Sequence, residues 1–200
     1  EEWDSTKEAH EVTGLKAGEI YTLRETVAPE GYTVTEDITF TIETDGTVKV
    51  GETTATNKTV VMRDEKTEVT ISKKAVAGSD ELPGAELTLT LKEAAEAGKT
   101  LEGITVPDRV TVASDNLSIS WTSGEEAVTI SKLPDGTYVL HEVAAPNGYE
   151  VATDIEFTIE NGVVKHVSIT DQDADNYEET DNQIGENSIV LRDKAKDTNT

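Results

Sequence analysis

Three ionisable residues stand at the ends of apolar rows. Side chains of an extended chain alternate between two faces, so Val69, Ile71 and Lys73 share one side of the stretch 69–73. Tyr138, Leu140 and Glu142 share one side of 138–142, and Ile189, Leu191 and Asp193 one side of 189–193. One amine and two carboxyl groups therefore occupy positions where core side chains belong. Three readings are open. Each group sits one step past its strand and turns to water; the three form a buried salt bridge; or they react. An isolated buried charge is expensive, so interior ionisable groups are paired or neutral. The reactive reading neutralises them for good: an amine attacks a carboxyl carbon, an amide forms and one water leaves. Contact without competing water supplies the preorientation such a step needs. A second carboxyl group, the part open to Glu142, hydrogen-bonds the first and carries protons from amine to departing hydroxyl. The titrations of such a trio are coupled and belong to the cluster. Lys74 is the rival of Lys73; it lies on the opposite face unless a register slip or bulge exchanges them.

The elements that must position these groups read as short strands. Alternating stretches fall at 21–27, 37–44, 59–64, 68–75, 85–92, 116–121, 127–133, 137–143, 154–160 and 188–195. Turn signals separate them at Pro83-Gly84, Pro134-Asp135-Gly136, Pro146-Asn147-Gly148 and Asn161-Gly162. This is the pattern of an all-β fold. Residues 92–99, KEAAEAGK, are expected to form at most a helical turn or two, and 171–187 a long polar loop.

An internal repeat organises the chain. APEGYTVTEDITFTIE from Ala28 parallels APNGYEVATDIEFTIE from Ala145, and VVMRD at 60–64 parallels IVLRD at 189–193. Trp3 and Trp121 anchor the upstream ends of the two copies. The second copy has strands ahead of its Trp; the first has only two residues there. Residues 1–66 accordingly read as the back portion of a first repeat. Residues 67–200 read as a complete repeat, with an elaborated crossover at about 92–126 that contains Trp121. Glu25 and Asp64 are the first-copy equivalents of Glu142 and Asp193, without a lysine partner, since Lys7 and Lys16 do not occupy first-strand positions.

The chain of 200 residues carries 17 basic against 41 acidic groups, a net charge of −24, which repels nucleic acid and anionic membranes. It contains no cysteine, so neither disulfides nor thiolate metal sites are available. No apolar run reaches membrane-spanning length. The chain begins at Glu1 and reads as a fragment. The run Asp171, Asp173, Asp175 has the alternation of a calcium loop. Its sixth position is Asn176 rather than Gly and its twelfth Asn182 rather than Glu, which favours a solvated acidic loop. His10, His141 and His166 share no ligand spacing, and His141 is expected to point outward. No cofactor site is expected.

The pattern VTISKK, ELPGAEL, LPDGTYVLHEVAAPNGYEVATDIEFTI, IVLRDKA closely resembles the B-type (CnaB-like) repeat domains of Gram-positive collagen-binding adhesins and sortase-assembled pilins. The resemblance covers 67–196 and the back half of a second copy within 1–66. It implies a prealbumin-like variant of the immunoglobulin-type β-sandwich in tandem, stiffened by an intramolecular isopeptide bond that forms without a separate enzyme. Residue by residue, Lys73 matches the nucleophilic lysine, Asp193 the carboxyl partner that it attacks and Glu142 the assisting acid. With Asp as the partner, the leaving molecule is water rather than ammonia. The implied role is a structural stalk domain of an extracellular, cell-wall-anchored adhesin or pilus-like protein. It is not an enzyme with turnover. Its partners are neighbouring repeats, with any host matrix ligand at a distant tip. The alternative is a ligand-binding module that recognises host matrix protein or glycan.

Overall fold

A computed structural model describes residues 1–94, 96, 98–169 and 187–197. The run Asp171, Asp173, Asp175 and nearly all of the expected 171–187 loop lie outside the described residues. By contacts the chain separates into two compact units, residues 1–26 with 35–63, and residues 27–34 with 64–200.

Up to residue 66 the strands are β1 (Ile20–Leu23), β2 (Tyr32–Thr33), β3 (Ile38–Ile42), β4 (Val48–Val50), β5 (Thr53–Thr54) and β6 (Glu65–Lys66). The first unit holds one antiparallel sheet, ordered β1-β3-β4-β5. Tyr21 faces Phe40 across it, with ring centroids 5.7 Å apart. Both are only half-buried, whereas their second-copy counterparts Tyr138 and Phe157 are fully buried. The strand expected at 59–64 does not form, and Val61 is 54% exposed. A strand needs a ladder partner, and no described segment of this unit plays the part that residues 68–75 play for 188–193. For the same reason the strand expected at 21–27 ends at Leu23.

The second unit adds β7 (Glu68–Ala75), β8 (Glu86–Ala94), β9 (Thr111–Val112), β10 (Ser118–Thr122), β11 (Val128–Ser131), β12 (Gly136–Ala144), β13 (Ile155–Glu160), β14 (Val163–Ile169) and β15 (Ser188–Asp193). A six-stranded sheet, β14-β13-β12-β8-β10-β9, faces a three-stranded one, β11-β7-β15. Val69, Ile71, Ile130, Ile189 and Leu191 of the small sheet and Leu87, Leu89, Ile119, Tyr138, Leu140, Ile155 and Phe157 of the large one belong to one buried cluster. The fold is thus an all-β sandwich. The helical turn expected at 92–99 is replaced by strand through Ala94, followed by a bend at Glu96 and a turn at Gly98. Pairing with β12 continues to Thr137↔Glu93 and Gly136↔Ala94, and this ladder overrides local helix preference. Trp121 is 6% exposed and packs in the core.

Tyr138 and Phe157 stack at 5.3 Å, both at 0% exposure. Phe157→Ala is expected to destabilise the second unit by about 3–5 kcal/mol through lost transfer energy and a residual cavity. Denaturant unfolding followed by Trp121 fluorescence measures it.

Candidate functional site

β7 is the centre of the small sheet, antiparallel to β11 and parallel to β15. The parallel register sets Leu191 opposite Lys73 and Asp193 opposite Ala75. Lys73 and Asp193 therefore project from adjacent strands onto the same inner face. Glu142 reaches them from β12 of the facing sheet. The lysine Nζ donates directly to Asp193 Oδ1 and lies 3.3 Å from Glu142 Oε1. All three residues are at most 1% exposed. Lys73 is held through its backbone: its N–H donates to Glu81 Oε2 at 2.9 Å and its carbonyl accepts from Leu82 N–H at 2.6 Å. Lys74, on the other face, is half-buried, and its backbone forms an isolated antiparallel β-bridge with Glu81. The geometry thus separates the two lysines.

The remaining oxygens are informative. Glu142 Oε2 accepts the Ala152 N–H at 2.6 Å. Glu142 Oε1 and Asp193 Oδ2 are buried without a hydrogen-bond partner. Ionised carboxylates only accept, so two of them side by side leave such orphans, whereas a protonated acid also donates. Burial pushes Asp193 up to about 6; the hydrogen bond and charge of Lys73 oppose this, and the neighbouring Glu142 carboxyl adds to it. A lysinium, one carboxylate and one carboxylic acid together carry no net charge, which is the form a dry interior tolerates.

Arg192 escaped the sequence reading. It is 8% exposed, and its Nη1 donates to Ala75 O at 3.0 Å and Gly78 O at 2.8 Å, tying the turn that follows β7 to β15. The signal was present as an Arg-Asp pair closing both copies, Arg63-Asp64 and Arg192-Asp193. Arg192→Met leaves those carbonyls without this donor and is expected to cost about 1–3 kcal/mol, read as a lower denaturant midpoint.

In the first copy Glu25 Oε2 accepts the Thr35 N–H at 2.9 Å, the counterpart of the Glu142–Ala152 bond. Glu25 and Asp64 are both half-buried and fall in different units. Lys7 and Lys16 are exposed. His141 is exposed, as expected from its face, and its Nδ1 lies 2.6 Å from Asp154 Oδ1.

A scan of protein families matches the SpaA prealbumin-like fold domain over residues 1–59 and 67–173. No match was found among curated proteins. Similar solved structures include the pilus-presented adhesin Spy0125 (Cpa), 31% identical over 48% of this chain and 18% of that one, with a TM-score of 0.35. The pilus adhesin RrgA from Streptococcus pneumoniae is 21% identical over 70% of this chain and 16% of its own, with a TM-score of 0.47. A C-terminal fragment of the pilus adhesin SpaC from Lactobacillus rhamnosus GG is 18% identical over 92% of this chain and 79% of its own, with a TM-score of 0.44. The chain spans only 18% of the length of the first of these.

Proposed function

The chain belongs to the family of SpaA prealbumin-like fold domains, and we propose that it is a load-bearing stalk segment whose second unit closes an internal amide between Lys73 and Asp193. The observation that carries this reading is the buried trio itself: an amine in direct contact with a carboxyl group, beside a second acid with an unsatisfied oxygen.

The chemistry balances without a co-reactant. A proton passes from the Lys73 ammonium to the carboxyl pair, leaving a neutral amine beside protonated Asp193. The nitrogen attacks the Asp193 carboxyl carbon, and a carbon–nitrogen bond forms. Glu142 relays the nitrogen's proton to the departing hydroxyl, the carbon–oxygen bond breaks and water leaves. An ammonium and a carboxylate are replaced by a neutral amide. The event happens once per chain, so it is maturation rather than turnover.

β7 and β15 are parallel neighbours, and in the second unit they stand at the two ends of the sandwich's strand sequence. An amide between them carries tension directly from one to the other. The intervening strands then need not unzip under load. Family membership and the resemblance of the repeats support the setting: an extracellular, cell-wall-anchored adhesin or pilus-like fibre whose partners are neighbouring repeats.

Intact-protein mass spectrometry tests the proposal. The wild-type chain is expected to be lighter by one water than its sequence, and Lys73→Ala or Glu142→Gln to retain the full mass. Peptide mapping should recover residues 73 and 193 in one branched fragment. A wild-type chain at full mass would sink the reading.

A further inference from the structure

Residues 27–34 belong to the first copy by sequence and to the second unit by contact. They are built into that unit closely. β2 pairs with β6, Gly31 O accepts the Thr67 N–H at 2.9 Å, and Thr67 O accepts the Lys132 N–H at 2.7 Å. Lys132 covers Gly31 so closely that a Cβ there would lie 2.9 Å from Lys132 Cβ; the glycine's φ of +78° also disfavours a side chain. On the other side, a Cβ on Gly162 would lie 2.7 Å from the Tyr32 carbonyl oxygen. Lys132 Nζ stands 5.5 Å from the Tyr32 ring centroid, within cation–π range. Glu30 supplies the charge: one carboxylate oxygen accepts the Asp135 N–H at 2.7 Å and the other pairs with Lys99, whose side chain is 18% exposed.

The second copy contains the same turn. Tyr149 N–H bonds Pro146 O at 3.1 Å, as Tyr32 N–H bonds Pro29 O at 3.0 Å. Lys196 N–H bonds Gly148 O at 2.8 Å, as Thr67 N–H bonds Gly31 O. Yet Gly148 is exposed where Gly31 is buried, and Asn147 stands where Glu30 does. One local conformation thus occurs twice, with a carboxylate in the first turn and an amide at the same place in the second.

We propose that the face of the second unit formed by Lys99, Lys132, Asp135 and Gly162 is a docking site for the Pro-Glu-Gly-Tyr turn of a neighbouring repeat, with the glutamate carboxylate as the group it selects. A Pro-Asn-Gly-Tyr turn lacks the charge for Lys99 and engages the face weakly. The site does not depend on the amide.

Hydrogen exchange on the full-length chain reads this directly. Glu30→Asn, which gives the first turn the second turn's residue, is expected to speed exchange of the Asp135 amide about tenfold or more, with a parallel rise at Thr67. Lys99→Met, which leaves the turn itself intact, is expected to act in the same direction. The double variant should go little beyond the larger single effect, because both remove one interaction. Intact mass is measured alongside and should equal that of the parent apart from the substitution, whether or not a water has been lost, so failure of the cross-link is read separately. Unchanged Asp135 exchange in Glu30→Asn, or full additivity of the two changes, overturns the proposal.

Discussion

Lys73→Met is expected to lower the stability of the second unit more than any other single substitution considered. Two losses combine. The proposed amide joins residues 120 apart in sequence, and in the chain-entropy account a cross-link over such a loop is worth roughly 5 kcal/mol. The variant also leaves Asp193 as a free buried carboxyl beside Glu142 with no cation, and a buried acid deprived of its partner costs about 3–5 kcal/mol. Proton uptake by the acids recovers part of the second loss, and this makes the effect depend on pH. Burial raises the folded Asp193 carboxyl from 3.8 to about 6, and Lys73 is among the groups that hold it down. Without Lys73 the folded value stays at or above that level. The folded state then binds the proton more tightly than the unfolded chain, so this contribution is complete below 3.8 and lost as pH rises through about 6. In the bonded wild type Asp193 has no carboxyl left to titrate, and its contribution to the slope vanishes. The gap between variant and wild type should therefore be narrow near about pH 4 and wide near about pH 8. Guanidinium unfolding followed through Trp121, with Trp3 replaced by Phe, measures it. Equal midpoints at neutral pH would remove the cross-link from the account of stability.

The rate of amide formation is expected to fall as pH rises through about 6. The reacting state needs the proton on the Asp193 carboxyl, because hydroxide is not expelled unless it leaves as water. Above that pH the protonated fraction, and the rate with it, drops about tenfold per unit. The chain can be collected unfolded in denaturant, where the groups are apart, refolded by dilution at a series of pH values and followed by mass. Glu142→Gln should form no bond at any pH, since an amide cannot relay the proton. Asp193→Asn is a sharper control. Any bond that it forms must release ammonia, and residue 193 then has no acidic proton to lose, so the fall through pH 6 should flatten. A wild-type profile that rises with pH would instead point to amine deprotonation as the limiting event.

Part of this protein is determined by its sequence alone, because alternation is a local property of an extended chain. The rows Val69-Ile71-Lys73, Tyr138-Leu140-Glu142 and Ile189-Leu191-Asp193 follow from alternation and require no knowledge of strand partners. The same rule puts Lys74 and His141 on the outer face. The repeat is equally visible, since it is written in residue identity. Partnership is different, for it depends on segments far apart in the chain. Only the tertiary structure decides that β15 lies parallel to β7, so that Asp193 falls beside Lys73, and that β12 brings Glu142 across from the other sheet. Residues 59–64 show the converse: their pattern matches β15, but among the described residues no segment pairs with them as β7 does with β15, and they form no strand. Residues 92–94 carry helix-favouring composition, yet they extend β8 because β12 is long enough to pair with them. The bonds of Arg192 to Ala75 and Gly78, the burial that raises the Asp193 carboxyl and the membership of residues 27–34 in the second unit are likewise long-range facts. Local pattern states which way a side chain faces, and the fold states what it meets there.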